Sequence, residues 1–198
     1  MSKKRQIEET YDKSAKVFAA MFDAMGARIS DIEETLALIK RDNPKVLEIG
    51  CGNGRDAKEI CKRANDYLGI DVSAELILLA KQKVPNGKFE IADVEYFQFP
   101  GELDVIFAFA SLLHISKESL RDIFKKIYIA LNKGGIFRLS LKYAKNYQEL
   151  ERRDGFGIRT FYLYSENDIK KLSQNLSIIK SEVVELKGQK WLEMLFQK

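Results

Sequence analysis

Three glycines stand close together between Glu48 and Gly54, a segment that reads EIGCGNG. A mostly apolar run, Val46 to Ile49, leads into it, and residues of helical composition follow from Arg55 onwards. Glycines let a backbone approach a ligand closely, and the first N–H groups of a helix are free to bind an anion. The third glycine comes one residue earlier than in the dinucleotide pattern G-x-G-x-x-G. The loop therefore favours a smaller anionic group, such as a carboxylate, and the alternative is a tight turn without a ligand.

Acidic residues follow the next two predicted strands. Asp71 ends the run Tyr67 to Asp71, and Asp93 with Val94 comes after the run Lys88 to Ala92. Ligands of open α/β sheets bind outside the carboxyl ends of the strands. Asp71 suits a ribose diol, whereas Asp93 suits an exocyclic amine and the Val94 N–H suits a ring nitrogen. The alternative for Asp71 is a solvated residue that caps the following helix.

The single histidine, His114, follows the predicted strand Leu103 to Ala110. It is a candidate general base at the same edge of the sheet, and a structural role is the alternative. No metal site is predicted, because two cysteines and one histidine show no ligand spacing. Cys51 is interpreted as a small residue beside the ligand.

The segment from Lys142 to Tyr164 interleaves basic and aromatic side chains after the last predicted parallel strand. We interpret it as a substrate wall, with Arg159 as a cation for an anionic group and Tyr162 in an aromatic slot. One alternative is a solvated loop whose acidic residues neutralise the bases. Another is a stacking surface for RNA.

Strands alternate with helices through the middle of the chain, which predicts an α/β fold with a parallel sheet. The first 43 residues read as two helices interrupted at Gly26, forming a cover or a substrate lid. The last two extended runs, Ile178 to Leu186 and Trp191 to Phe196, predict an antiparallel hairpin. We predict one domain, residues 1–198, with a helical cover over residues 1–43 and a Rossmann-like core over residues 44–198.

Composition narrows the class of protein. The chain has 198 residues, 45% of them apolar and 31% charged, with a net charge of +4. No apolar run is long enough for a membrane span, and no secretory signal opens the chain. With only two cysteines a disulfide framework is not expected, so we predict a reducing, cytoplasmic location. The mild charge neither requires nor excludes a nucleic-acid partner.

Taken together, these segments resemble the class I S-adenosylmethionine (SAM)-dependent methyltransferases. The stretches that carry the resemblance are VLEIGCGNGRDA (Val46–Ala57), LGIDVS (Leu68–Ser73), IADVEYF (Ile91–Phe97), LDVIFAFASLLHIS (Leu103–Ser116) and LNKGGIFRLSLK (Leu131–Lys142). The resemblance implies SAM as the cofactor. It also implies a seven-stranded sheet of order 3-2-1-4-5-7-6, with strand 7 antiparallel and helices on both faces.

The resemblance also implies roles for individual residues. The loop facing the methionine moiety contains Gly50, Cys51, Gly52, Asn53 and Gly54. Glu48 would help hold the amino group, and Tyr11 would lie near the cofactor carboxylate. Asp71 would bind the ribose hydroxyls. The adenine would be bordered by Val72 and bound by Asp93 and Val94, and the methyl donor would pass Phe109 and Ala110.

The acceptor stays open at this point. The motif Asn/Asp-Pro-Pro-Tyr/Phe, which is typical of amino methylation on nucleic-acid bases, is missing. Residues Ala108 to Ser111 occupy its place. We therefore expect methyl transfer to a small molecule, by a monomer or a homodimer that does not bind membranes. The alternatives are an RNA or protein methyltransferase and a SAM-binding module without catalysis.

Overall fold

The computed structural model describes all 198 residues. Its helices are α1 (Lys3–Lys13), α2 (Ala15–Met25), α3 (Ile29–Ala37), α4 (Ala57–Ile60), α5 (Ala74–Lys83), α6 (Lys117–Ala130) and α7 (Glu166–Leu172), with a 3₁₀ turn at Leu112–His114. Its strands are β1 (Lys45–Ile49), β2 (Asp66–Asp71), β3 (Lys88–Ile91), β4 (Leu103–Phe109), β5 (Leu131–Lys142), β6 (Gln148–Asp154), β7 (Gly157–Leu163), β8 (Ser177–Leu186) and β9 (Gln189–Gln197). None of the helices is both long enough and apolar enough to cross a membrane.

Seven strands form one sheet in the order β3-β2-β1-β4-β5-β9-β8. The first five are parallel, and β9 runs antiparallel to both of its neighbours. Strands β8 and β9 are the sixth and seventh strands of this sheet, so the predicted order and the antiparallel strand are confirmed. Every residue of β4 is buried, as expected for a central parallel strand covered on both faces.

Alternating side chains of the strands build a core on each face of the sheet. One face packs against α6 through Ile123, Phe124 and Ile127. The other packs against α3, α4 and α5. Because alternate residues of a strand point to opposite faces, Leu47 belongs to the first core and Val46 to the second.

The first 43 residues form three helices, whereas the sequence pattern predicted two. The apolar stripe runs past Ser14, but this residue leaves the helical conformation, with φ −116° and ψ 19°. Gly26, with φ +77°, ends α2 as predicted. The break is not visible in the sequence pattern, because the apolar residues of α2 continue the three- and four-residue spacing of α1 across Ser14.

These helices are tied to the loops at the carboxyl ends of the strands. Asp12 accepts a hydrogen bond from the Ser73 hydroxyl at 2.6 Å, beyond β2. Asn53, beyond β1, donates to the Ala19 carbonyl oxygen of α2 at 3.2 Å. The predicted cover therefore lies on the edge of the sheet where ligands bind.

The segment from Lys142 to Tyr164 contains a β-hairpin instead of a loop, although its acidic residues do pair with basic ones, as the solvated-loop alternative expected. Strands β6 and β7 form a separate two-stranded sheet. Most of β6 is exposed, but β7 buries Arg159, Thr160, Phe161 and Tyr162. The Thr10 hydroxyl of α1 contacts the Ile158 carbonyl oxygen at 3.3 Å. The hairpin thus supports α1 from the side opposite to the main sheet.

A polar strip on the sheet fixes α3. Arg138 of β5 is 1% exposed and donates to Glu34 at 2.6 Å and to Asp31, both on α3. Beside it, Glu193 of β9 accepts from Arg28, which precedes α3, at 3.1 Å. Burying these charges is tolerable only because they are paired, so the strip sets the register of α3 on the sheet.

We expect Arg138→Ala to lower the free energy of unfolding by about 3 kcal/mol. The substitution removes the buried partner of two carboxylates and leaves a cavity under α3. Urea unfolding followed by circular dichroism measures the change. Arg121→Ala, at an exposed position of α6 without a side-chain partner, is the control and should leave the midpoint unchanged. Equal midpoints for both variants would contradict the proposed role of the strip.

Candidate active site

A cavity of about 360 Å³ lies at the carboxyl edge of the strands, beneath α1 and α2. This volume falls in the range of about 300–1,000 Å³ that is typical of small-molecule sites. The predicted site residues that line it are Tyr11, Gly50, Cys51, Gly52, Asn53, Asp71, Val72, Asp93, Val94, Phe109, Ala110 and His114. The lining does not include Glu48, Gly54, Arg159 or Tyr162.

Gly50 lets the loop after β1 pass close to the segment after β4. Its φ is +72°, and a Cβ atom there would lie 2.2 Å from the Cβ of Ser111. The N–H groups of Gly50 and Cys51 donate to the Ile70 carbonyl oxygen at 2.7 and 3.0 Å. Any larger residue would push these two loops apart and open this side of the cavity.

Asp71 stands at the end of β2 with part of its acceptor capacity unused. Its carboxylate accepts from the N–H groups of Gly52 at 2.9 Å and Ser73 at 3.0 Å. Burial raises its pKa, and these backbone donors oppose the shift. A carboxylate has about four lone-pair sites, so it can accept further hydrogen bonds from hydroxyl groups in the cavity.

The segment after β3 offers both a donor and an acceptor. The Val94 N–H has no hydrogen-bond partner within the protein, although the residue is buried. Asp93 accepts from the Glu95 N–H at 2.9 Å and from Lys4 of α1 at 3.1 Å. Because buried N–H groups are rarely left unpaired, the Val94 amide marks a place for a ligand acceptor.

The glycine loop and the end of β4 complete this side of the cavity. The Asn53 side chain donates to Ala19 and Asp23 of α2, while its Oδ1 is buried without a partner. Burial raises the pKa of the Cys51 thiol, so the thiol stays protonated. Ala110 has φ +52°, and such strain in a residue other than glycine clusters at functional sites.

Glu48 does not line the cavity. It shares a face of β1 with Val46, and it accepts a hydrogen bond from the Tyr67 hydroxyl at 2.5 Å. Burial, followed by the negative charge of Asp56, raises its pKa to about 8. Its part in holding an amino group therefore stays a prediction, and its visible contact is with the core.

His114 and Tyr11 form a hydrogen-bonded pair in the cavity wall. His114 Nδ1 lies 2.6 Å from the Thr160 carbonyl oxygen, and Nε2 lies 3.0 Å from the Tyr11 hydroxyl oxygen. A carbonyl oxygen only accepts, so Nδ1 carries the proton and Nε2 accepts from Tyr11. Burial, together with the charges of Arg159 and Lys142, lowers the pKa of His114 to about 4, against the opposing effect of the hydrogen bond to Thr160. The imidazole is therefore neutral at pH 7.

The two residues predicted to bind substrate lie behind the cavity wall. Arg159 donates to Asp154 at 2.5 Å and sits among aromatic rings, including Phe18 at 5.0 Å. Tyr162 stacks on Tyr147 with ring centroids 6.1 Å apart.

Among the lining residues that sequence reasoning did not assign to the site are Lys142 and Trp191. Lys142 ends β5 at the ligand edge, so its position after a predicted strand was the available signal. Trp191 is paired with Lys142 across β5 and β9.

Solved structures share this architecture. A SAM-dependent methyltransferase from Clostridium acetobutylicum has a TM-score of 0.72 and 17% identity, covering 92% of this chain and 98% of that chain. The 1,6-didemethyltoxoflavin-N1-methyltransferase of Burkholderia thailandensis, solved with S-adenosylhomocysteine, has a TM-score of 0.70 and 17% identity, covering 93% and 86%. The sheet order and the cavity at its edge define a class I SAM-dependent methyltransferase fold.

Sequence comparison agrees with the fold. Residues 46–135 match the family described as a methyltransferase domain, which confirms the predicted resemblance.

Two curated relatives illustrate how far the sequence match extends. Malonyl-[acyl-carrier protein] O-methyltransferase 1 of Ilyobacter polytropus is 28% identical over 152 residues, 74% of this chain and 56% of the relative. An uncharacterised protein of Methanocaldococcus jannaschii is 33% identical over 123 residues, 61% and 47% of the two chains. The chain spans about half the length of the curated relatives it matches.

We expect Glu48 to contribute a decrease in the free energy of unfolding as the pH rises from 4.5 towards 8. The folded protein keeps a proton on Glu48, whose pKa is about 8, whereas the unfolded chain releases it near its ordinary value of 4.5. Glu48→Gln should remove this part of the pH dependence, measured by urea unfolding at several pH values. Glu90→Gln, at an exposed position of β3, is the matched control. An unchanged slope in Glu48→Gln would contradict the assignment.

Proposed function

We propose that this chain binds SAM and transfers its methyl group to a small-molecule acceptor. The observation that carries the proposal is the alignment of three groups in one cavity, each at the end of a successive strand. These groups are the glycine loop after β1, Asp71 after β2 and the Asp93–Val94 pair after β3. The unpaired Val94 N–H and the spare acceptor sites of Asp71 fit an adenosine, and the close backbone at Gly50 fits the methionine end.

Each residue would bind the cofactor by ordinary hydrogen-bond chemistry. Asp71 would accept from the ribose hydroxyls, Asp93 would accept from the adenine amine, and the Val94 N–H would donate to a ring nitrogen. Val72 would border the adenine, and Phe109 and Ala110 would lie beside the methyl donor. Tyr11 of α1 would lie near the carboxylate of the cofactor.

When bound, SAM supplies a methyl group already activated by a positively charged sulfur. The protein then has to orient the acceptor and exclude water, which is a matter of proximity rather than of added reactivity. Helices α1 and α2 close the cavity through Tyr11 and Phe22, whereas Arg28 and Phe109 form part of its wall. A concave cavity covered in part by α1 and α2 favours a small acceptor over RNA or a protein surface.

The two relatives whose names state an acceptor differ in the atom that they methylate. One name gives an O-methyltransferase of malonyl-acyl-carrier protein and the other an N1-methyltransferase of a small heterocycle. The accepting atom in this chain is therefore decided by its own cavity residues.

The single-domain organisation, the oligomeric state and the cytoplasmic location stay predictions.

Titration calorimetry tests the cofactor directly. We expect SAM and S-adenosylhomocysteine to bind and NAD⁺ not to bind. Asp71→Asn should weaken SAM binding at least about tenfold, because a charge-assisted hydrogen bond to a ribose hydroxyl is lost. Asp66→Asn, at the opposite end of the same strand, should bind like the wild type. No SAM binding by the folded wild-type protein would overturn the proposal.

A metabolite screen tests turnover. Cofactor binding without the formation of S-adenosylhomocysteine in that screen would favour the non-catalytic alternative.

We also propose that His114 is the base for acceptors that lose a proton. Its Nε2 is unprotonated and faces the Tyr11 hydroxyl, so a proton can pass from the acceptor to the Tyr11 oxygen while the Tyr11 proton moves to Nε2. A base with a pKa of about 4 is weak, but methylation makes an attached O–H or N–H much more acidic. Such a base therefore suits a proton that leaves during or after attack.

The chain has one histidine, so its proton NMR signal is unambiguous. We expect His114 to titrate near pH 4 in the folded protein and near its ordinary value of 6.5 when unfolded. His114 should therefore make the folded state less stable as the pH falls from 6.5 towards 4, opposite in sign to the Glu48 contribution, and this loss should be absent in His114→Gln. Turnover should hold down to about pH 5 and then decline, and His114→Gln should be slower over the whole range. A folded-state titration near 6.5, or full turnover in His114→Gln, would remove the base assignment.

A further inference from the structure

The cavity extends beyond the strands that carry the proposed cofactor residues. Its second half lies over β4, β5 and β9 and is lined by Tyr11, His114, Lys142, Phe161 and Trp191. We call these five residues the acceptor chamber. If the cofactor occupies the ends of β1, β2 and β3, as the proposed function requires, this half is left for the acceptor.

Lys142 differs from the other cations that line the cavity. Lys4 pairs with Asp93 and Glu95, Arg28 with Glu193, and Arg55 with Asp56. The ammonium group of Lys142, in contrast, forms no hydrogen bond or ion pair within the protein and contacts only the Phe161 ring. A half-buried ammonium without an anion is costly, because it loses water and gains no partner in return.

The one protein group against this ammonium does not neutralise it. Its Nζ lies 3.9 Å from the centre of the Phe161 ring. Such a cation–π contact contributes about 0.5–2 kcal/mol but leaves the full positive charge in place. Burial, helped by the charges of Arg152 and Arg159, lowers the pKa of Lys142, which is the direction expected for an uncompensated cation.

The neighbouring hairpin adds to the positive charge. Arg159 and Arg152 share a single carboxylate, Asp154, at 2.5 and 3.1 Å. Two guanidinium groups on one carboxylate leave one net positive charge behind the chamber wall. The chamber therefore has a positive potential that the protein itself does not cancel.

We propose that Lys142 binds an anionic group of the acceptor, a carboxylate or a phosphate. The acceptor is then a small organic acid whose apolar part packs against Phe161 and Trp191. The ammonium supplies a charge-assisted hydrogen bond that selects for the anion, while the aromatic walls select for the apolar part.

Binding of simple probes to the chamber tests this assignment. Trp191 is the only tryptophan and lines the chamber, so its fluorescence reports binding there. Benzoate, phenyl phosphate and the neutral benzamide are titrated into protein with and without saturating S-adenosylhomocysteine. We expect at least one anion to bind at least about tenfold more tightly than benzamide, the factor that one charge-assisted hydrogen bond provides. The tighter of the two anions distinguishes a carboxylate from a phosphate.

Substitution of Lys142 locates the preference. Lys142→Met should abolish the preference for the anion. Lys142→Arg keeps the positive charge and should retain the preference, so it provides a second test if the methionine variant does not fold. Lys145→Met removes an exposed charge three residues away and should bind like the wild type. S-adenosylhomocysteine affinity should be equal in all four proteins.

Three results would overturn the proposal. The first is equal binding of the anions and benzamide by the wild type. The second is an anion preference that persists in Lys142→Met. The third is a loss of S-adenosylhomocysteine binding in Lys142→Met. The last would place this lysine in the cofactor site. Failure of the wild type to bind S-adenosylhomocysteine contradicts the proposed function instead, and the titrations without that compound still show whether Lys142 selects anions.

Discussion

Gly50 has a backbone φ of +72°, and any side chain there would run into Ser111, whose Cβ lies 2.2 Å from the position of an added Cβ. This close approach brings the loop after β1 against the segment after β4. The cofactor side of the cavity and the His114 side consequently share one wall. Ser111 reinforces the arrangement by donating from its hydroxyl to the Ile49 carbonyl oxygen at 2.5 Å. The position of every other site residue depends on these two loops staying in contact.

The cover depends on the same edge of the sheet. Lys4, Asp12 and Asn53 connect the first two helices to the loops after β3, β2 and β1, and Tyr11 connects α1 to His114 after β4. Each of these contacts lies over a different strand end, so breaking one of them leaves the other three in place. If α1 acts as the predicted lid, it therefore has to move as a unit, and the β6–β7 hairpin that supports it has to follow.

Most of the fold follows from local patterns that the sequence shows openly. The β4 run Leu103 to Phe109 is apolar throughout, and Gly50 and Asp71 occur where strands end, so the sheet and its ligand edge are readable. Glu48 does not line the cavity, and its alternation with Val46 along β1 was the sequence signal that the two share a face. The pairing of Arg159 with Asp154 arises only when the β6–β7 hairpin closes, so the sequence could not show that Arg159 lies behind the cavity wall. The missing partner of Lys142 is a tertiary property that no local pattern contains.

The distribution of charge connects these observations. Asp71 and Asp93 stand at the ends of β2 and β3, whereas Lys142 stands at the end of β5. Four strand spacings separate β3 from β5, about 19 Å at about 4.8 Å each. At this separation Lys142 forms no ion pair with Asp93, and no carboxylate is among the groups that shift its pKa. The acidic and the basic ends can therefore each bind a different group without cancelling one another. An adenosine at one end and an anionic acceptor at the other would then be oriented independently, and they would meet at Ala110 and His114, where the backbone is strained and the imidazole is neutral.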